Sequence, residues 1–291
     1  MSHPAPFRWN LARRQRLGSL LEGPRAEAYR GFRDDLRACC VRVAAAAADG
    51  GMVFVGLSPE SIYDHLSGVL AETSWAERIA LLNFSMRHGN ARDVAQGHPE
   101  GLRALRGQMT ALGLSPAQIA TAERPTIFVD LVYSGGTLGN LLELLERWGR
   151  EGGIHPDAVR RRIRFLGITE QEKNSPNTWR WYQRAAWAQR MPRRALRSVS
   201  IPYRLWVYLG DFQKKVARWH PPMVWGAEEW MHPPRDADSL EALRLAWFIH
   251  ERARTPRERE RFAAALAERP EMREPAVRRM VLELRGTRGE R

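Results

Sequence analysis

The sequence predicts an α/β fold: a mostly parallel central sheet flanked by helices, with helical extensions at the N and C termini. Short apolar runs alternate with segments of helical pattern, which is typical of parallel strands joined by crossover helices. One apolar run, residues 126–132, leads through a glycine-rich turn directly into a helix. With 291 residues, 44% of them hydrophobic, the chain can bury one core and a smaller appendage.

The first predicted helix covers residues 25–48, because an alanine tract favours it and the pair Gly50-Gly51 ends it. The apolar run at 52–57 predicts the first strand, and after a turn residues 62–70 predict a helix. Residues 78–84 predict the second strand. The polar stretch that follows contains helical patterns near 102–112 and 116–122.

The second half of the chain continues the alternation. The third strand is expected in the apolar run that begins at Thr126 and ends in the carboxylate Asp130, with its helix at 138–148, and two further strands at 162–168 and 203–209. A Pro-rich passage, 220–234, predicts a boundary, after which three Arg- and Glu-rich helices are expected at 239–253, 255–268 and 274–285. We therefore predict a helical N-terminal extension at 1–49, an α/β domain at 50–234 and a helical C-terminal appendage at 235–291.

The turns after the predicted strands should lie together. Parallel strands end at the same edge of a sheet, and ligands bind beyond their carboxyl ends in folds of this class. The loops at Ser58, Ser85, Ser134, Thr169 and Gly210 are therefore expected along one edge.

The turn Ser134-Gly135-Gly136-Thr137 has the chemistry of an anion-binding loop. Adjacent glycines leave backbone N–H groups uncovered, the hydroxyl groups add donors, and the following helix contributes the partial positive charge of its N-terminus. Such a loop holds a phosphate monoester. Asp130, just before the turn, lies where a sugar hydroxyl or a metal-bound diol would be placed.

At this strand and loop the chain resembles the type I phosphoribosyltransferase family, and the resemblance covers roughly residues 50–215. The signature of that family is an apolar strand, two acidic residues, a short loop and then Thr/Ser-Gly-Gly/Lys-Thr. Asp130 matches the second acid, Val129 stands in place of the first, and Tyr133 stands where several members carry an aspartate suggested as a general base. The resemblance implies that Ser134, Gly135, Gly136, Thr137 and Leu138 bind the 5-phosphate of 5-phosphoribosyl 1-pyrophosphate. It also implies catalytic roles for Asp130, which would hold a ribose hydroxyl, and for Tyr133.

The turn after the first strand, Leu57-Ser58-Pro59, supports two interpretations. In the family that the chain resembles, this loop binds pyrophosphate through backbone amides, often with a strained or cis peptide. From the residues alone, Ser58 is an N-cap and Pro59 lies in the first helical turn. Glu60 would repel pyrophosphate at this position.

The segment 201–212 is similar to the last strand of the hypoxanthine-guanine branch of that family. This similarity implies that Asp211 is associated with magnesium, and that one of Tyr203, Arg204 and Trp206 stacks on an acceptor base. The alternative is that Trp206 packs in the core and Asp211 caps the next helix.

Composition limits the remaining options. The formal charge of +13 favours polyanions such as RNA, or an acidic partner, although an Arg- and Ala-rich composition can also reflect a GC-rich genome. The vicinal Cys39 and Cys40 predict buried packing and supply no zinc site. No apolar run reaches the ~20 residues that span a bilayer, so no membrane association and a cytoplasmic location are expected.

Tryptophan and arginine are interleaved at residues 174–194. This pattern suits a lid over the acceptor, a packing face in a homo-oligomer, a surface that stacks nucleotides, or an ordinary amphipathic face. Among the histidines, only His88 lies in a loop suited to acid–base work.

The expected function is therefore transfer of phosphoribosyl from 5-phosphoribosyl 1-pyrophosphate, with magnesium as cofactor, to an unidentified nitrogenous acceptor. The missing first acid and the positive charge keep two alternatives open. One is a catalytically degenerate regulator that binds a phosphorylated nucleotide or RNA, and the other is a subunit of a complex.

Overall fold

A five-stranded, all-parallel sheet forms the centre of the molecule, as the sequence predicts. The computed structural model describes residues 6–86, 90–171, 180–183 and 185–286. The strand order is β2-β1-β3-β4-β5. The strands are β1 (Gly51–Val55), β2 (Ile79–Leu82), β3 (Thr126–Leu131), β4 (Ile163–Glu170) and β5 (Leu196–Ile201).

Helices cover both faces of the sheet, which explains why the inner strands are apolar on both sides. In chain order they are α1 (Arg14–Leu17), α2 (Phe32–Ala47), α3 (Glu60–Val69), α4 (Ala91–Gly97), α5 (Pro99–Ala111), α6 (Pro116–Thr121), α7 (Gly136–Glu151), α8 (Pro156–Arg162), α9 (Tyr203–Val207), α10 (Ala237–Ala253), α11 (Pro256–Ala267) and α12 (Pro275–Gly286). The predicted helices therefore exist, with ends that shift by a few residues except for the first, which begins at Phe32.

Two apolar cores lie on opposite faces of the sheet. The first core joins β-strand side chains such as Phe54 and Val129 to helices α2, α3, α10, α11 and α12. The second core joins Val55 and Phe128 to helices α4–α8 and to residues 181–195. Helices from both predicted terminal extensions contribute to the first core, so they cover the same sheet face as α3.

The predicted fifth strand at 203–209 is wrong. The last strand is β5, whose buried residues Leu196, Val199 and Ile201 face β4 and the two cores, and Pro202 ends it. Residues 203–212 are helical instead, continuing from α9 into a π-helical turn at Tyr208–Phe212. Leu205 and Leu209, one helical turn apart, are both fully buried. That i, i+4 spacing stabilises a helix and outweighs the strand preference of the neighbouring aromatic residues.

Within the described ranges, no helix is both long enough and apolar enough to cross a membrane.

Candidate functional site

The strand order places a crevice between the carboxyl ends of β1 and β3. From β1 the chain passes through α3, on the face of the first core, to β2. From β3 it passes through α7, on the face of the second core, to β4 on the other side. The two connections diverge, and such a switch point is where open α/β sheets bind ligands. The turns at 56–59 and 132–135, both singled out from sequence, lie on either side of it.

The turn after β3 leaves the N-terminus of α7 open. Gly135 is the N-cap, with a φ of 75° in the left-handed region, and no side chain caps the helix. The first turn of α7 carries no acidic residue. Ser134 and Gly136 are exposed, and Thr137 is half-buried. The first N–H groups of a helix have no intrahelical acceptor, so this turn presents donors and the positive end of a 16-residue helix to solvent.

Two tryptophan rings pack against the glycines of this turn and of the first turn of α7. A Cβ on Gly135 would lie 2.7 Å from the ring of Trp181, and a Cβ on Gly139 would lie 2.4 Å from Trp187. Trp181 is fully buried and donates from Nε1 to the carbonyl of Arg197 at 3.2 Å. The sequence analysis left the role of this aromatic segment open, and these two tryptophans pack beneath the turn. Residues 172–179 and Arg184 of the same segment lie outside the described residues.

Gly136 differs from its neighbours. The nearest heavy atom to a Cβ placed there is Ser134 Oγ, at 3.8 Å, and its backbone φ lies outside the left-handed region. Neither packing nor backbone conformation therefore requires glycine at the first position of α7.

Asp130 lies on the sheet face that carries α7, in register with Gly167 of β4. Its side chain is 7% exposed, and no charged side chain of the described residues pairs with it. Burial raises the pKa of this carboxyl well above its ordinary value, and a hydrogen bond from the Leu131 N–H opposes the rise. The site thus holds a buried carboxyl group without a counter-ion, three residues before the exposed Tyr133.

The turn after β1 is built differently from the sequence-based expectation. The N-cap of α3 is Pro59, not Ser58, and no side-chain hydrogen bond caps the helix. No peptide bond among the described residues is cis, so Ser58-Pro59 is trans. The N–H groups of Leu57 and Ser58 donate to no backbone carbonyl of the described residues.

Glu60 does not face the crevice as a free anion. Its side chain is 3% exposed and accepts a hydrogen bond from Arg8 at 2.7 Å. Arg8 also bonds Asp64, which is 1% exposed. Burial raises the pKa of Asp64 to about 6, although the charge of Arg8 opposes the rise. The arginine therefore compensates the acids behind this turn.

Lys215 is a residue that sequence reasoning missed. Its ammonium group donates to the carbonyl of Leu209 at 2.6 Å and to Gln213 Oε1 at 3.2 Å. Burial lowers the pKa of Lys215 to about 8, while Glu60 and Asp211 oppose that shift. It lies in a loop without a motif, so no signal in the sequence identifies it.

The turn after β2 contributes Asn83, also missed from sequence. Asn83 is 8% exposed and its Oδ1 has no partner among the described residues. Beside it, Trp219 Nε1 donates to Ser85 Oγ at 2.6 Å. A polar residue immediately after an apolar strand was the available signal for Asn83. His88 lies outside the described residues.

The segment after β5 does not form the expected extended binding strand. Arg204 pairs through Nε and Nη2 with Asp35, at 2.6 and 2.8 Å, and lies over the Tyr29 ring. Trp206 packs against the first core. Asp211 is exposed within the π-helical turn rather than at a strand end. Gly210 places this turn beside β3, because a Cβ there would lie 3.9 Å from Leu131 Cδ2.

Magnesium can be tested against these donors. Mg²⁺ is usually held by one or two carboxylates together with substrate phosphates and waters. Asp130 fits that description, because no cation among the described residues pairs with its carboxyl group. The described residues contain no group of three or more acidic, histidine or cysteine side chains that would hold a metal alone.

Comparison of the chain with protein-family models, curated proteins and solved structures finds no match.

Proposed function

We propose that this chain binds 5-phosphoribosyl 1-pyrophosphate with magnesium at the crevice between β1 and β3, and transfers phosphoribosyl to a nitrogenous acceptor. In this reaction the acceptor nitrogen bonds to the anomeric carbon and the bond to pyrophosphate breaks. The acceptor proton passes to a base or to solvent. Positioning and neutralisation of the leaving pyrophosphate are then the main catalytic tasks.

The observation that carries this proposal is Gly136. Gly135 and Gly139 are explained by the tryptophans beneath them, whereas no contact among the described residues requires glycine at position 136. A side chain there would project into the space in front of the first N–H groups of α7. That space is where the 5-phosphate would bind, with the hydroxyls of Ser134 and Thr137 as further donors.

The other roles follow from position. Asp130 would accept a ribose hydroxyl or contact magnesium, and either partner would satisfy its buried carboxyl group. The N–H groups of Leu57 and Ser58 would bind the pyrophosphate. Magnesium would enter with the ligand and neutralise part of its charge.

The proposed acceptor contact moves away from Arg204 and Trp206, because both are engaged elsewhere. Tyr203 and Phe212, which follow β5, are 59% and 73% exposed. Either ring offers a flat face on which a heterocyclic acceptor could stack.

Calorimetric titration with 5-phosphoribosyl 1-pyrophosphate and magnesium tests the proposal. The wild type should bind at micromolar concentration, and Gly136→Asp should abolish binding by placing a carboxylate in front of the phosphate donors. Gly97→Asp is the matched control, because Gly97 is exposed and a Cβ there has no neighbour within 4 Å.

Absence of binding at millimolar ligand, or equal loss in both variants, would refute the proposed site. Turnover is measured separately, as pyrophosphate release with a panel of nitrogenous acceptors. Tight, Gly136-dependent binding with no release for any acceptor would reject the transferase and favour a ligand-sensing regulator.

A further inference from the structure

A second candidate site lies away from the crevice, in the helical layer outside the first core. A cavity of about 230 Å³ opens between helices α2, α3, α10 and α11. Its floor is formed by the buried residues Leu36, Ile249 and Ala253.

The walls of this cavity carry an excess of positive charge. Five arginines line it, against two carboxylates. They are Arg33, Arg37, Arg252, Arg257 and Arg261.

The two carboxylates are already engaged. Arg37 bonds both of them, reaching Asp34 at 2.9 Å through Nη1 and Glu258 at 3.1 Å through Nη2. Burial acts against the charged form of Glu258, but the contacts with His65 and Arg37 lower its pKa to about 2. Within the described part of the chain, Arg252, Arg257 and Arg261 have no ion pair. Three arginines on two helices therefore line the cavity without an ion pair to another described residue.

Two further features favour an anion. The cavity lies at the N-terminus of α11, whose N-cap Thr255 lines it, so the helix adds its partial positive charge. His65 also lines the cavity, is 5% exposed, and has an Nδ1 without a partner among the described residues. A buried polar atom left unpaired is costly unless a ligand or water satisfies it.

The volume of the cavity and the charge of its walls limit the class of ligand that it can bind. Whole drug-sized ligands occupy pockets of about 300–1,000 Å³, and this cavity is smaller. A phosphate monoester carries about −1.5 to −2 charges, less than the excess of three positive charges on the walls. A diphosphate matches both the volume and the charge.

A wider groove continues from the cavity. The two share Arg33, Asp34, Phe248 and Ile249, and the groove has a volume of about 700 Å³. Arg25 lies 3.9 Å above the ring of Phe248 at this junction. A group attached to the diphosphate would have room here.

We infer that the cavity between α2, α3, α10 and α11 binds a diphosphate group, either free pyrophosphate or the diphosphate of a nucleotide. Arg252, Arg257 and Arg261 would contact its oxygens. His65 would donate from Nδ1 in its protonated form, because its Nε2 lies 3.5 Å from Glu258 Oε1. This site is separate from the crevice and does not depend on the proposed transferase function.

Titration of the full chain with inorganic pyrophosphate, ADP and inorganic phosphate tests the inference at physiological ionic strength. We expect pyrophosphate and ADP to bind more tightly than phosphate. The double variant Arg257→Ala/Arg261→Ala should raise both dissociation constants at least about tenfold, because charge-assisted hydrogen bonds are lost. The matched control is Arg103→Ala/Arg150→Ala, which removes the same charge from exposed arginines of α5 and α7.

The two diphosphates distinguish the source. Equal affinities indicate recognition of the diphosphate alone, whereas tighter ADP binding indicates that the nucleoside occupies the groove. Hydrogen–deuterium exchange of the wild-type protein should show ligand protection at residues 252–262, and this readout needs no variant.

Three results would overturn the inference: no diphosphate binding at millimolar concentration, equal weakening in the control variant, or protection confined to the turns at 56–59 and 132–138. Because 5-phosphoribosyl 1-pyrophosphate also carries a diphosphate, only the part of its binding that Gly136→Asp removes should be unchanged in Arg257→Ala/Arg261→Ala. Failure at this cavity is therefore distinguishable from failure at the crevice.

Discussion

Replacing Asp130 by asparagine should stabilise the unliganded protein while it weakens ligand binding. The carboxyl group is 7% exposed and receives one hydrogen bond, from the Leu131 N–H, and no described cation lies beside it. Its ionised form is therefore poorly solvated in the fold. Asparagine has nearly the same shape, so the substitution removes the charge without opening a cavity.

The magnitude follows from the cost of burying an incompletely satisfied polar group, about 1–3 kcal/mol and more when the group is charged. Asparagine introduces an amide that also needs partners, which offsets part of the gain. We expect the free energy of unfolding to rise by about 2 kcal/mol at pH 8. For a chain of 291 residues, that corresponds to an increase in Tm of about 3 °C.

The direction in which stability changes with pH follows from the raised pKa of Asp130. The pKa of Asp130 is raised in the folded protein, so the group takes up a proton on folding. Its contribution to stability is fully present below the unfolded pKa of about 3.9 and is lost as the pH rises through the folded value. The Asp130→Asn variant would lack this dependence, because its amide does not titrate. The difference between variant and wild type should therefore be largest at pH 8 and should narrow toward pH 5.

Urea denaturation at pH 5, 6.5 and 8 measures this difference. Glu146→Gln is the matched control, because Glu146 is 1% exposed but bonds Arg160 at 2.7 Å and Arg190 at 2.8 Å. Removing one partner of a buried pair destabilises a protein, so the control should lower stability by at least about 1 kcal/mol. A destabilised Asp130→Asn, or a gain that is the same at every pH, would refute the reasoning.

Calorimetry should show weaker binding of 5-phosphoribosyl 1-pyrophosphate by Asp130→Asn.

Three other predictions use the same denaturation assay. Gly135→Ala should cost at least about 2 kcal/mol, from the left-handed φ and the contact with Trp181, whereas Gly136→Ala should be near neutral; equal losses would contradict the difference in packing. Arg8→Met should destabilise by about 3 kcal/mol at pH 8, because the buried Glu60 and Asp64 lose the arginine that pairs with both of them. The loss should shrink toward pH 5 as Asp64 protonates, and a pH-independent loss would argue against it. Arg204→Ala should leave both stability and acceptor kinetics nearly unchanged, because the pair with Asp35 is exposed on the arginine side; a large rise in acceptor KM would restore Arg204 to the site.

Sequence reasoning succeeded where apolar pattern and position act together. The strands β1 to β4 are short apolar runs, of which β1, β3 and β4 are largely buried, and each was placed within about two residues. The position of the turns at the carboxyl edge of the sheet then follows from the parallel topology alone. The order of strands, and hence the crevice between β1 and β3, required the structure, because no local pattern states which strands pair.

The fifth strand failed for a local reason. Residues 203–209 are rich in aromatic and β-branched side chains, which favour strands, but their burial follows a helical repeat set by Leu205 and Leu209. The true strand contains Arg197, Ser198 and Ser200, and it is polar enough to escape a search for apolar runs because it lies at the edge of the sheet. The interpretation of Arg204, Trp206 and Asp211 depended on that misplaced strand and changed with it.

The glycine-rich turn shows that a local motif does not reveal packing contacts with residues distant in sequence. Trp181 and Trp187 lie more than forty residues after Gly135 and Gly139, so no local pattern reveals that these two glycines serve packing. Gly135 is required by its contact with Trp181 and by its left-handed φ, whereas no contact among the described residues requires glycine at position 136. A motif match counts both glycines as evidence for phosphate binding. In the structure, packing explains Gly135, so only Gly136 remains as evidence for a ligand. The comparison of Gly135→Ala with Gly136→Ala therefore separates the two roles: the first should affect stability, and the second should affect ligand affinity.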